Sequence, residues 1–139
     1  MGLIPKSNKG QFVSETAFNR NLNKQMEGAL QVLEQLRGLN VTKDKELKLE
    51  FFFYTNTEDK AAQLANEIEK LNYSVQYKLS ASDKKLFVIT GWTTKVKMTG
   101  EIVKQWVKQM CELGYKFDCD FDGWGTDPAQ NDDEPEITE

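Results

Sequence analysis

Asp118, Asp120 and Asp122, with Asp127 close behind, form the densest set of groups in this chain that could do chemistry. Alternate residues of a strand share a face, so these carboxylates could gather a hard cation and drive a metal-dependent hydrolysis. The calcium-loop pattern, with its glycine and closing glutamate, is missing. The plainer expectation is that like charges on an edge strand prevent sheet-to-sheet pairing. A thiol nucleophile is the second possibility, through Cys111 or Cys119. It would need a base, and the chain has no histidine, the commonest general base and metal ligand. Cys119 falls on an apolar strand face and Cys111 follows Met110 on a helix, so both are expected to be buried structural thiols. Two cysteines make neither a disulfide framework nor a zinc cluster, which suits a reducing cytoplasm. Neither a metal site on these aspartates nor a thiol nucleophile is therefore the favoured reading.

The aspartates belong to a segment, Tyr115 to Asp127, with two halves. Tyr115, Phe117, Cys119 and Phe121 alternate with Lys116, Asp118, Asp120 and Asp122, the pattern of a strand buried on one face. Gly123-Trp124-Gly125 then reads as a bend around a large ring, with Trp124 closing the end of the sheet. An indole at that place either packs its own domain or anchors a partner.

The rest of the chain supplies the frame. At 139 residues, 39% hydrophobic and 29% charged, it suits one soluble domain, and no apolar run approaches the roughly 18 residues of a membrane helix. The N-terminus lacks a signal-peptide core, and Lys6 stands where a myristoylation signal wants Ser or Thr. Residues 1–14 show no periodicity and read as a flexible leader. Ser14 or Thr16 caps a long helix, placed at 15–40, whose stripe is Phe18, Leu22, Met26, Ala29, Leu30, Leu33 and Leu36; Gly38 and Asn40 stop it. Leu47 to Tyr54 is a strand apolar on both faces. Asn56 or Thr57 caps a second helix with Ala61, Leu64, Ala65, Ile68 and Leu71 inward, ended by Asn72. Tyr73, Val75, Tyr77 and Leu79 mark a one-sided strand. Leu86 to Thr93 is a third strand, again apolar on both faces. Thr99 caps a third helix with Ile102, Val103, Trp106, Val107, Met110 and Leu113 inward, closed by Gly114.

A leading helix followed by β-α-β-β-α-β gives an α+β fold, the ferredoxin-like sandwich with an additional N-terminal helix, its single domain running over 15–128 and an acidic tail over 129–139. Right-handed crossovers put the first and third strands in the middle, the two that read as apolar on both faces. RNA-recognition domains share this topology and stack bases on aromatics of those strands, where Phe52, Tyr54 and Phe87 stand. Lys84 to Ile89 lacks the glycines and basic-aromatic spacing of that recognition motif. From Asp118 onward there are nine acids and no base, which repels a phosphate backbone. RNA binding is therefore one alternative, a metal-dependent hydrolase using Asp118, Asp120 and Asp122 is the other, and these aromatics are expected to lie under the leading helix.

Phe121-Asp122-Gly123-Trp124-Gly125-Thr126 resembles the signature of the B-type regulators of ribonuclease E activity, the RraB family, with Phe121 in place of its usual tyrosine. The order of the other elements is similar too: a leading helix over Asn19 to Leu36, strand and helix over Leu49 to Val75, a hairpin strand at Leu86 to Thr93, a helix from Glu101 to Leu113 and an acidic tail. Asp127-Pro128 departs from the aromatic and acidic continuation of that family. The resemblance implies a bacterial, non-enzymatic protein inhibitor, with no catalytic residue, metal or cofactor, that binds the ribonuclease directly, away from its active centre, and alters turnover of particular messages. The expected partner is then a ribonuclease with a basic segment, met by Asp118, Asp120, Asp122, Gly123, Trp124, Gly125, Thr126 and Asp127, with no membrane or direct nucleic-acid contact.

Overall fold

The structure is a computed structural model and describes residues 10–130. Three helices and four strands follow in the order α1 (Glu15–Gly38), β1 (Glu46–Thr55), α2 (Glu58–Glu69), β2 (Ser74–Leu79), β3 (Phe87–Lys97), α3 (Gly100–Lys116) and β4 (Asp120–Thr126). Each helix starts on a hydroxyl that accepts from a backbone N–H one turn on: Ser14 from Ala17, Thr57 from Lys60, Thr99 from Ile102. Such caps satisfy donors the helix leaves open. Non-glycine residues in the left-handed region follow the helices, Asn40, Asn72 and Asp118. Asparagine and aspartate tolerate that region better than other side chains.

The sheet is antiparallel in the order β2-β3-β1-β4, so β1 and β3 are central as their two-sided apolar pattern requires. Leu47, Leu49, Phe51 and Phe53 of β1 are wholly buried against α2 and α3, through Ala61, Leu64, Ile68, Val103, Val107 and Met110. Burying these side chains supplies the main drive to fold, about 1.5–3 kcal/mol for each large one.

α1 lies beside α3 and along the outer edge of β4. Phe18 stacks on Tyr115 with ring centroids 4.4 Å apart. The amides of Asn21 and Gln25 donate to the carbonyls of Phe121 (2.7 Å) and Asp122 (3.1 Å), closing an edge that would otherwise be open to pairing. Arg37 fixes the other end of the helix on the Met98 carbonyl at 2.7 Å.

This placement corrects the expected cover of the sheet. α1 does not lie over Phe52 and Tyr54, which face away from the core and stay half-buried. Phe87 belongs to the core side instead, opposite Thr55, and the β3 aromatic on the reverse face is Trp92, opposite Glu50. A slip of one residue moves a side chain to the other face, so Phe87 and Trp92 cannot share one. Leu30, Leu71, Leu79 and Ile102 were expected inward and are exposed. Each sits at the margin of its apolar stripe, where the neighbouring element does not reach.

Candidate functional site

The carboxylates are not arranged as the alternating pattern implies. α3 runs through Tyr115 and Lys116, and Tyr115 is held in its last turn by the stack on Phe18. The chain then turns: Asp118 N–H donates to Tyr115 O and Cys119 N–H to Gly114 O, with Asp118 at φ 60°. This paired closure is a common helix ending, usually built on glycine. β4 begins only at Asp120. Gly114 is thus inside the helix, and a Cβ there would come within 2.8 Å of Cys119 O and the Phe53 ring. The expected strand from Tyr115 to Asp122 is half helix and turn, and Asp118 does not share a strand face with Asp120 and Asp122.

Asp118 is a staple. Its carboxylate accepts from the backbone N–H of Phe12 (2.7 Å) and Val13 (2.8 Å) and pairs with Lys60 Nζ at 2.6 Å. Its carbonyl accepts from the buried Thr55 hydroxyl. Lys60 in turn donates to Gly10 O and Asn56 Oδ1. One residue therefore joins the segment before α1 to β1, α2 and α3, and Val13 is buried. Residues 1–9 of the leader lie outside the described residues, as does most of the acidic tail.

Asp120 stands on β4 opposite Tyr54. Burial raises its carboxyl above the usual aspartate range, the neighbouring Asp122 adds to this, and Lys24 partly offsets it. It borders a cleft of about 240 Å³ shared with Phe12, Ala17, Arg20 and Lys24. Asp122 is the extra residue of a bulge between the pairs Phe53–Phe121 and Phe52–Gly123, and it is exposed. Among the described residues no group of three or more His, Cys, Asp and Glu is placed to hold a metal ion. The two thiols are buried, and burial pushes each up to about 12. A thiol held that high carries negligible thiolate at neutral pH and is a poor nucleophile.

Gly123-Trp124-Gly125 is not the bend expected after the strand. All three residues pair with β1, opposite Phe52, Phe51 and Glu50. Facing residues of an antiparallel pair point to the same side. Trp124 therefore turns in with Phe51, and its ring meets Trp106 edge-on at 5.9 Å. Gly123 and Gly125 turn out with Phe52 and Glu50. Gly123 has φ 149°, which side chains rarely adopt, but Gly125 has no such constraint. A Cβ added at either would meet nothing within 4 Å. Thr126 Oγ1 donates to Lys48 O, and Gln130 bonds both polar backbone groups of Lys48. Asp127 accepts from Ala129 N–H and holds the turn after β4. Lys60, Asn21 and Gln25 complete this region. Their surface-like residue types hid them in the sequence, and only the fold brings them to β4 and its preceding turn.

A carboxylate staple that ties the helices together and a half-buried aromatic sheet face on the other side belong to one small α+β domain. The model of the family described as Regulator of ribonuclease activity B matches residues 28–126, and the chain belongs to that family. It is 27% identical over 118 residues to the Regulator of ribonuclease activity B of Xenorhabdus nematophila, covering 81% of this chain and 84% of that protein. It is 29% identical over 124 residues to the protein of that name from Pantoea ananatis, covering 85% and 89%. No helix among the described residues is long and apolar enough to cross a membrane.

Proposed function

We propose that this chain is a non-enzymatic regulator in the bacterial cytoplasm that binds a ribonuclease, of the ribonuclease E type, and slows its cleavage of RNA. Membership of the family carries this reading, since its relatives are described as regulators of ribonuclease activity. Three features support it. The only thiols are protonated and buried, Asp118 is consumed in a structural staple, and the outward groups of β4 are two glycines and two acids. The strand order with β1 and β3 central also agrees with a ferredoxin-like sandwich carrying an extra N-terminal helix. The partner would present a basic segment to Asp120, Asp122, Asp127 and the acidic tail, with rim charges that speed and orient association.

The test is cleavage of a labelled RNA by purified ribonuclease E with increasing amounts of the chain. Slower cleavage, with co-elution of the two proteins and no RNA hydrolysis by the chain alone, is the expected result. Unchanged cleavage without association would remove the proposed target. Trp124→Ala should act through folding, because the indole packs on Trp106: a fall in melting temperature is expected, whereas lost binding at unchanged melting would make Trp124 a contact residue.

A further inference from the structure

Lys48 of β1 and Lys95 of β3 are partners across the sheet, and both are half-buried. Facing residues of an antiparallel pair share a side, and like charges held opposite one another are unfavourable. Lys97 stands opposite Glu46, and Lys45 comes just before β1. Glu46 and Glu50 flank Lys48 along the strand and offset part of the charge. Residues 45–50 and 95–97 still hold four lysines against these two glutamates. Lys45, Lys48 and Lys95 are each engaged in an interaction, so a partner from outside meets an occupied surface. The group whose chemistry suits that surface is a carboxylate.

The chain brings carboxylates to this spot. After β4 the backbone turns at Asp127, whose carbonyl accepts from Gln130 N–H and whose carboxylate accepts from Ala129 N–H. The turn lays the Gln130 side chain on β1, where it accepts from Lys48 N–H at 2.8 Å and donates to Lys48 O at 2.9 Å. The chain beyond Gln130 therefore continues from beside Lys48. It holds Asp132, Asp133, Glu134, Glu136 and Glu139, with no base. Residues 131–139 can span at most about 30 Å when extended, and neighbouring strands lie about 5 Å apart, so both lysines are within easy reach. A segment tethered this close also acts at a high effective concentration, which a free anion does not.

We infer that residues 131–139 fold back onto the β1–β3 lysines, with their carboxylates on Lys48 and Lys95, and that a basic partner must draw the tail away from them. Each such surface pair is weak alone, but several acting from one anchored end hold the segment in place while leaving it exchangeable. The inference deepens the regulator reading by making the lysines a brake on the tail's use by a basic segment, and it rests on that reading only for the identity of the partner.

The test places a nitroxide on the tail of the full, isotope-labelled chain through Thr138→Cys. Cys111 and Cys119 are buried and held up to about 12, so the new thiol is the one that reacts. At low salt the amides of residues 46–49 and 94–97 should lose most of their intensity. They should recover it in high salt, in Lys48→Gln with Lys95→Gln, and in Asp132→Asn with Asp133→Asn and Glu134→Gln, which leaves the sheet untouched. Broadening centred elsewhere, or unmoved by salt and by both variants, would overturn the contact. Broadening of an isotope-labelled chain by a separate spin-labelled one would give the tail to a second copy and overturn it too. A ten-residue lysine peptide reads the brake without reference to the target. Lys48→Gln with Lys95→Gln should bind it about three- to tenfold more tightly than Lys84→Gln with Lys85→Gln, an exposed pair of equal charge between β2 and β3. Equal binding would overturn the brake and leave the regulator reading standing. The same chains are then set against ribonuclease E: if none binds it while the tail maps to Lys48 and the peptide discriminates, the inference stands and the target is wrong.

Discussion

Phe51 and Phe53 of β1 face the helices and are wholly buried, while their chain neighbours Phe52 and Tyr54 face the other way and stay half-buried. Four aromatics in a row thus divide between two tasks. On the helix side each ring has a ring neighbour, Phe53 on Phe121 at 5.1 Å and Phe51 on Phe53 at 6.0 Å. On the reverse side Phe52 is matched across the sheet with Gly123 and Thr90. One face is filled by the domain itself. The other leaves its two rings half-buried, without a ring contact among the described residues.

Phe53→Ala should be the most damaging substitution in this contrast, costing about 3–5 kcal/mol by leaving a cavity in the core. Phe52→Ala should cost less than about 1 kcal/mol, as surface changes do. Urea unfolding of the two variants measures the difference, and equal losses would mean that the reverse face is a second core. The aspartates offer a second contrast. Asp118→Ala removes the Lys60 pair and two backbone acceptors and leaves alanine in the left-handed region, for a loss of about 2–4 kcal/mol. Asp122→Ala, at an exposed bulge, should fall within about 0.5 kcal/mol of the natural chain. Glycines sharpen the comparison further. Gly114→Ala pushes a methyl against Cys119 O and the Phe53 ring and should cost about 1–3 kcal/mol, whereas Gly125→Ala should leave thermal melting unchanged.

The smallest effect concerns pH. Burial raises the Asp120 carboxyl in the folded chain, so between the ordinary aspartate value of about 3.9 and the raised one the native state holds more protons than the unfolded chain. The contribution of this group is full below that window and declines as pH rises through it. Asp120→Asn should therefore melt higher than the natural chain at about pH 7, with the gain disappearing near pH 3. A gain that persists in acid would point to packing instead of charge.

The cap at Thr99, the left-handed stop at Asn72 and the central places of β1 and β3 are legible in the sequence, which also narrows the other two caps to Ser14 or Thr16 and Asn56 or Thr57; the structure selects Ser14 and Thr57. The same holds for the family, because Asp122-Gly123-Trp124-Gly125-Thr126 is a compact and specific string. The region from Tyr115 to Gly125 differs in its elements from the alternating pattern, with helix and turn up to Cys119 and strand from Asp120. Tyr115 and Phe117 alternate with Lys116 and Asp118 as strand residues would, yet that short run also fits the last turn of a helix. Phe18, ninety-seven positions earlier in the chain, decides between them by stacking on Tyr115.

The sequence by itself thus determined where each helix begins to within two residues, the strands that must be central, and the family. These depend on residues a few positions apart or on the period of apolar side chains. Only the tertiary structure decided that α3 runs on to Lys116 and the chain turns at Asp118, that α1 lies along the β4 edge and not over Phe52, and that Gly123 and Gly125 pair with β1. Those outcomes rest on contacts such as Asp118 with Phe12 and Lys60. Such partners lie far apart in the chain, and no local pattern of charge or hydrophobicity records which of them will meet.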